Sequence, residues 1–122
     1  MKPGKKGLER IIDATGYSIK GISHCWENES AFRQEVLLAC VLVPIAFFIG
    51  DSATEIALLV LCVFIVLIIE LLNSAIEAVV DKTTPEIHPL AGAAKDCGSA
   101  AVFFALCMTT IVWIIIFISN YL

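Results

Sequence analysis

Clustered positive charge is missing from this chain. Eight lysines and arginines stand against twelve aspartates and glutamates, a net charge of -4, and no basic run forms a surface that would hold nucleic acid. Glycine-lined phosphate cradles are missing too: there is no GxxxxGK[ST], no GxGxxG and no kinase catalytic-loop pattern. Histidine is limited to the single residues His24 and His88, which argues against a histidine metal site and leaves both as polar surface groups. The five cysteines (Cys25, Cys40, Cys62, Cys97, Cys107) form no CxxC pair and leave an odd count, so they read as inert small apolar residues. There is no internal repeat and no low-complexity tract. The amino end lacks the uninterrupted apolar core of a signal peptide, and all 122 residues are expected to stay.

What the chain has in quantity is hydrocarbon. With 59% hydrophobic residues and a mean hydropathy of +0.91, a single domain of this length belongs in a bilayer rather than around a small soluble core. Three stretches can span: residues 31–49, residues 53–80 with a cytoplasmic extension beyond Leu72, and residues 97–118. The first is the weakest, because its uncharged part from Val36 to Ile49 covers only about 21 Å. Arg33 and Glu35 are expected to snorkel at its edge and Pro44 to kink it. Lys2, Lys5, Lys6, Arg10, Lys20 and Arg33 precede the first span, Lys82 and Lys95 lie between the second and third, and Gly50–Glu55 has no basic residue. That asymmetry puts the amino end and residues 81–96 in the cytoplasm and the carboxyl end outside, in the periplasm if the membrane is a bacterial inner membrane.

Within this apolar chain one charge stands out. Glu70 follows fourteen uncharged residues, Ile56 to Ile69, and begins a series of Glu70, Asn73, Glu77 and Asp81. At 100° per residue the four fall within roughly an 80° sector of one helix face. Counting from Ile56, Glu70 lies about 21 Å into a hydrocarbon core about 30 Å thick, near the far headgroup boundary. Glu77 is about 10 Å further along, among headgroups or in water. An ionisable group at such depth points to function; the alternative is a structural ion-pair or hydrogen-bond network joining helices within the membrane, but no basic residue in the second span supplies a partner. One carboxylate is therefore placed to meet a lipid headgroup and the other a soluble ligand.

Leu8, Ile11, Ile12, Thr15, Ile19, Ile22 and Trp26 recur at helical spacing opposite Arg10, Asp13, Tyr17, Lys20 and His24, which predicts an amphipathic helix over residues 7–28 lying on the membrane surface. Its polar face serves either as an anchor only or, where Arg10 and Tyr17 share a side, as a holder of phosphate or a lipid head. Pro85, Pro89 and Gly92 predict a loop over residues 81–96. Lys95 and Asp96 at its end either meet a phosphate and a ribose or simply anchor and cap the third span. Without a glycine cradle, ATP would have to be held by carboxylates with Mg²⁺ and a few basic side chains.

The segments SAFRQE (Ser30–Glu35), ELLNSAIEAVVD (Glu70–Asp81) and AKDCGSAAV (Ala94–Val102) resemble the prokaryotic integral-membrane diacylglycerol kinases. The resemblance takes in RIIDATGYSIKG (Arg10–Gly21) and nearly the whole chain. It implies an all-α membrane protein, a homotrimeric helical bundle in which each protomer has an N-terminal amphipathic surface helix and three transmembrane helices, with active sites shared between subunits. It further implies transfer of the γ-phosphate of MgATP to the free hydroxyl of 1,2-diacylglycerol, giving phosphatidic acid.

By the same resemblance Glu70 is the general base, Glu29 and Glu77 are Mg²⁺ ligands, and Asn73 supports them. Nucleotide contacts are implied at Arg10, Tyr17, Glu29, Glu77, Glu86, His88, Lys95 and Asp96. Lipid contacts are implied at Arg10, Ala14, Thr15, Gly16, Tyr17, Ser18, Ile19, Ala31, Phe32, Arg33, Gln34, Glu35, Glu70, Ser99 and Trp113. Thr15 and Ser30 stand where family members carry alanine, and both are small enough to leave the reading unchanged. Some close relatives phosphorylate undecaprenol instead, which is the alternative substrate. An ion-coupled membrane transporter subunit is a rival from another class, but the off-centre depth of Glu70 and the Lys95–Asp96 pair suit it poorly. A purely structural subunit leaves the acidic stripe without a purpose.

Overall fold

The computed structural model describes residues 6–83, 86 and 88–122. Lys2, Lys5 and Pro85, which entered the orientation and loop readings, lie outside the described residues. Four helices follow one another: α1 (Leu8–Asn28), α2 (Ser30–Ile49), α3 (Ala53–Thr83) and α4 (Pro89–Tyr121). The chain is all-helical, with no strand among the described residues. α2, α3 and α4 are long and apolar enough to cross a membrane. At about 1.5 Å per residue, α3 and α4 run about 46 and 50 Å, so both outreach a hydrocarbon layer of about 30 Å.

α1 meets the bundle through a narrow strip. Of its residues only Cys25 is buried, while Leu8, Ile11, Ile12, Ile19 and Ile22 stay exposed, leaving an apolar face available to a bilayer surface. A single extended residue, Glu29 (φ -120°, ψ 107°), separates α1 from α2. The elbow is held from α2: Arg33 Nη1 donates to the Trp26 carbonyl at 2.7 Å and to that of Glu27 at 3.4 Å, satisfying carbonyls that the end of α1 leaves open. Arg33 thus caps the end of α1 beside Glu29. Glu35 likewise turns inward, with Oε2 enclosed by protein. α2 continues through Pro44 as one helix.

α3 and α4 form the main antiparallel pair. Trp113 Nε1 donates to the Leu59 carbonyl (3.2 Å) and Thr109 Oγ1 to that of Cys62 (3.3 Å), two contacts in one register. Ala46, Leu59 and Ile116 make the buried core, with Ile49, Val60, Val112 and Trp113 packed around it. The turn between α2 and α3 is locked by a capping sequence, Ser52-x-x-Glu55, in which the Glu55 amide donates to Ser52 Oγ at 3.2 Å. Asn120 at the end of α4 donates to Glu55 Oε1 (2.7 Å) and to the Ile49 carbonyl (2.9 Å), tying all three long helices at that end. Outside these contacts large apolar side chains face outward, among them Phe48 (84% exposed) and Phe104 (72%). So much outward hydrocarbon requires lipid or another chain to cover it.

The helix ends correct one expectation. Residues 81–96 are mostly helical: α3 runs on to Thr83, α4 starts at Pro89, and only residues 84–88 connect them. Pro89 sits in the first turn of α4, where a missing amide proton costs nothing, so it starts the helix rather than interrupting it. Gly92 is then an ordinary helical position. Lys95 and Asp96 therefore project from a rigid helix that adjoins α3.

Candidate active site

The stripe read from the sequence lies on α3 where that helix meets both α2 and the elbow. Glu70 is 6% exposed, the one buried charged residue among the described residues. Glu29 from the elbow, Glu35 from α2 and Glu77 two turns along α3 all stand within electrostatic range of it. Four carboxylates from three segments thus share one region. Like charges in a low-dielectric setting repel strongly, so the arrangement calls for a proton, a cation or a substrate.

Asn73 links the deep and shallow ends of this region. Its Nδ2 donates to Glu77 Oε1 at 3.1 Å, and its amide also interacts with Glu70. Its Oδ1 is buried with no hydrogen-bond partner and points at Gly98 of α4, where an added Cβ would collide with Oδ1 and stand 3.3 Å from Cγ. Gly98 is buried, and the missing side chain is what lets the amide lie between the helices. Sequence reasoning passed over Gly98, although the small-residue run Gly98-Ser99-Ala100-Ala101 is the signal of close helix approach.

α4 brings the basic component. Lys95 Nζ lies 2.9 Å from Asp81 Oδ1, and Glu77 is also within its electrostatic range. Lys95 precedes the charge-free run that begins at Cys97, and the hydrogen bond it donates to Asp81 together with that carboxylate's charge holds the ammonium above the usual lysine range. His88 is the N-cap of α4: its Nδ1 accepts from the Leu90 amide at 3.1 Å, which sets the neutral ring as the Nε2–H tautomer and leaves that proton for a ligand. Glu86, before α4, and Asp96, about two turns into it, are exposed.

The remaining candidates are spread along the molecule. Arg10 and Tyr17 are exposed on α1, where Lys20 Nζ lies 5.7 Å from the Tyr17 ring centroid. Neither Arg10 nor Tyr17 is hydrogen-bonded or ion-paired to Glu29, Glu70 or Glu77 among the described residues. Ala14 is half-buried, while Thr15, Gly16, Ser18 and Ile19 are exposed on the same helix. Thr15 and Ser18 return their hydroxyls to carbonyls one turn back. In α2, Ala31 and Gln34 are exposed and Phe32 is 2% exposed, enclosed by the chain itself. Ser99 is exposed next to Gly98. Trp113 lies level with Leu59, eleven residues and about 16 Å along α3 from Glu70, so within one chain it stands apart from the carboxylates.

Between α1 and α3 lies an apolar cavity of about 420 Å³. It is lined by Ser18, Gly21, Ile22, His24 and Cys25 on one side and Leu71, Ser74, Ala75 and Ala78 on the other. Small residues one turn apart on both helices (Gly21 and Cys25, Ser74 and Ala78) hollow it out, a pattern available in the sequence and not used.

As donors for a metal, the residues form no closed site: no group of three or more His, Cys, Asp and Glu is arranged around one point among the described residues. Mg²⁺ does not need one, because it takes hard oxygen ligands and keeps waters or phosphate oxygens in its shell. Glu29 and Glu77, both half-buried and both near the buried Glu70, suit an ion that arrives with a polyphosphate.

The prokaryotic diacylglycerol kinase family model matches residues 16–117. Among curated relatives, diacylglycerol kinase from Pseudomonas aeruginosa is 52% identical over 110 residues, 90% of this chain and 89% of the relative. The protein of that name from Haemophilus influenzae is 50% identical over 107 residues, 88% and 91% of the two chains. That from Escherichia coli strain K12 is 48% identical over 121 residues, 99% of both. A match across both the carboxylate stripe and the segment bearing Lys95, at these identities, means that the chain belongs to the prokaryotic diacylglycerol kinase family.

Proposed function

We propose that this protein transfers the γ-phosphate of MgATP to the free hydroxyl of 1,2-diacylglycerol, releasing phosphatidic acid and ADP. The observation that carries the reading is the buried Glu70 at the end of a fourteen-residue apolar run, joined through Asn73 to Glu77 and so to the side of the molecule that bears Lys95. The names of the relatives support diacylglycerol over undecaprenol.

Phosphoryl transfer asks chiefly for alignment of the two oxygens and neutralisation of charge. Glu70 accepts the proton of the lipid hydroxyl as its oxygen bonds to the γ-phosphorus and the bridging oxygen leaves with ADP. The apolar cavity between α1 and α3 receives part of the lipid body. Glu29 and Glu77 hold Mg²⁺, which when bound neutralises charge on the phosphate oxygens. Asn73 keeps Glu77 oriented, and Lys95 offsets charge on the transferred group. His88 Nε2–H and Asp96 lie at the nucleotide end of α4.

The protein works as a homotrimer in the bacterial inner membrane, its amino end in the cytoplasm. Packing of protomers would cover the outward apolar faces and bring residues such as Trp113 of one copy toward a neighbour's lipid. The test is radiolabelled phosphate transfer from MgATP by the purified protein in mixed micelles, with diacylglycerol and undecaprenol side by side. Label in phosphatidic acid is expected. Label mainly on undecaprenol reassigns the substrate, and label on neither overturns the kinase reading.

A further inference from the structure

We infer that Asp81, to which no role is assigned above, is a positioning residue for nucleotide binding: it holds the Lys95 ammonium away from Glu77 and toward the incoming phosphates. The inference rests on the proposed kinase reading and deepens it.

The register of the helix pair carries the inference. Gly98 against Asn73, Thr109 against Cys62 and Trp113 against Leu59 define one regular antiparallel alignment of α3 and α4. Continued toward the 84–88 connection, that alignment puts Lys95 level with Ile76 and Glu77. Glu77 is within electrostatic range of the ammonium and half-buried, so it is a natural partner by position. The ammonium nevertheless bonds Asp81 at 2.9 Å, about 6 Å further along the axis of α3. The long lysine stem allows either choice, and Asp81 decides it.

The choice matters chemically. A lysine paired with Glu77 would neutralise a carboxylate proposed to hold Mg²⁺ and would remove the cation meant for phosphate. Paired with Asp81, the ammonium uses one of its three donors and keeps two for phosphate oxygens. Both partners are exposed, Lys95 by 42% and Asp81 by 65%, so the pair adds little to folding, and a phosphate can reach it from solvent.

The test is steady-state kinetics of Asp81→Asn and Asp81→Glu with ATP varied at saturating lipid, alongside thermal unfolding in the same detergent. Asp81→Asn is expected to raise KM for MgATP about five- to tenfold, leave KM for diacylglycerol within twofold, and leave Tm unchanged. Asp81→Glu restores KM toward wild type. In a Lys95→Met background, Asp81→Asn is expected to change KM no further. An unchanged KM for ATP in Asp81→Asn overturns the inference while leaving the kinase reading intact, as does an effect that persists undiminished in Lys95→Met. A wild type without ATP-dependent transfer overturns the kinase reading and this inference with it.

Discussion

Gly98→Ala isolates the contact on which the geometry of the stripe depends. The added methyl collides with Asn73 Oδ1, so the amide must swing away or the helices must part, and either movement breaks the 3.1 Å bond from Nδ2 to Glu77. A hydrogen bond to a charged acceptor is worth about 1.5–3 kcal/mol. Expressed in the transition state, that predicts a fall of about 10- to 100-fold in kcat/KM. Stability responds differently. Alanine gains roughly 0.5–1 kcal/mol over glycine in a helix, overpacking costs roughly 1–3 kcal/mol, and the net loss is about 0–2.5 kcal/mol. The assay is phosphate transfer and thermal unfolding on the same detergent-solubilised sample. A large loss of kcat/KM in protein that is still folded at the assay temperature is expected, and full activity in Gly98→Ala would refute the claim that Asn73 needs that space.

Three further outcomes follow from other contacts. Asn120→Leu removes two hydrogen bonds at the far end of the bundle and should cost about 1–2 kcal/mol of stability, seen as a lower Tm, with kcat unchanged because Glu55 is about 22 Å along α3 from Glu70. Arg33→Met uncaps the end of α1 and frees the elbow at Glu29; proteolysis between α1 and α2 should quicken, and activity should fall severalfold. Chelation of Mg²⁺ should stop transfer, and Glu77→Gln should need about tenfold more Mg²⁺ for half-maximal rate where residual activity is measurable; an unaltered Mg²⁺ requirement counts against Glu77 as a ligand.

Much of this was legible from residue order because burial of charge is costly. A glutamate after fourteen apolar residues can persist only on a protein-facing surface, and Glu70 is indeed buried. Helical periodicity likewise put Asn73 and Glu77 on its face. Hydropathy marked the three long helices, yet their ends near residues 81–96 were misread, since Pro89 counts as a breaker in composition and as a helix start in position. Tertiary partners were out of reach: nothing local says that Arg33 turns back to cap α1 or that Lys95 selects Asp81 over the nearer-level Glu77. The cavity between α1 and α3 depends on small residues of two helices far apart in the chain, Gly21 and Cys25 on one and Ser74 and Ala78 on the other, and only their packing reveals it.

The most direct test of the proposed chemistry is the rate of phosphate transfer to diacylglycerol by Glu70→Gln at saturating MgATP and lipid. Glutamine preserves shape and most polar contacts but cannot take the hydroxyl proton, so turnover should fall by at least about 100-fold while oligomeric size and MgATP binding stay at wild-type values. Transfer within a fewfold of wild type would contradict Glu70 as the base.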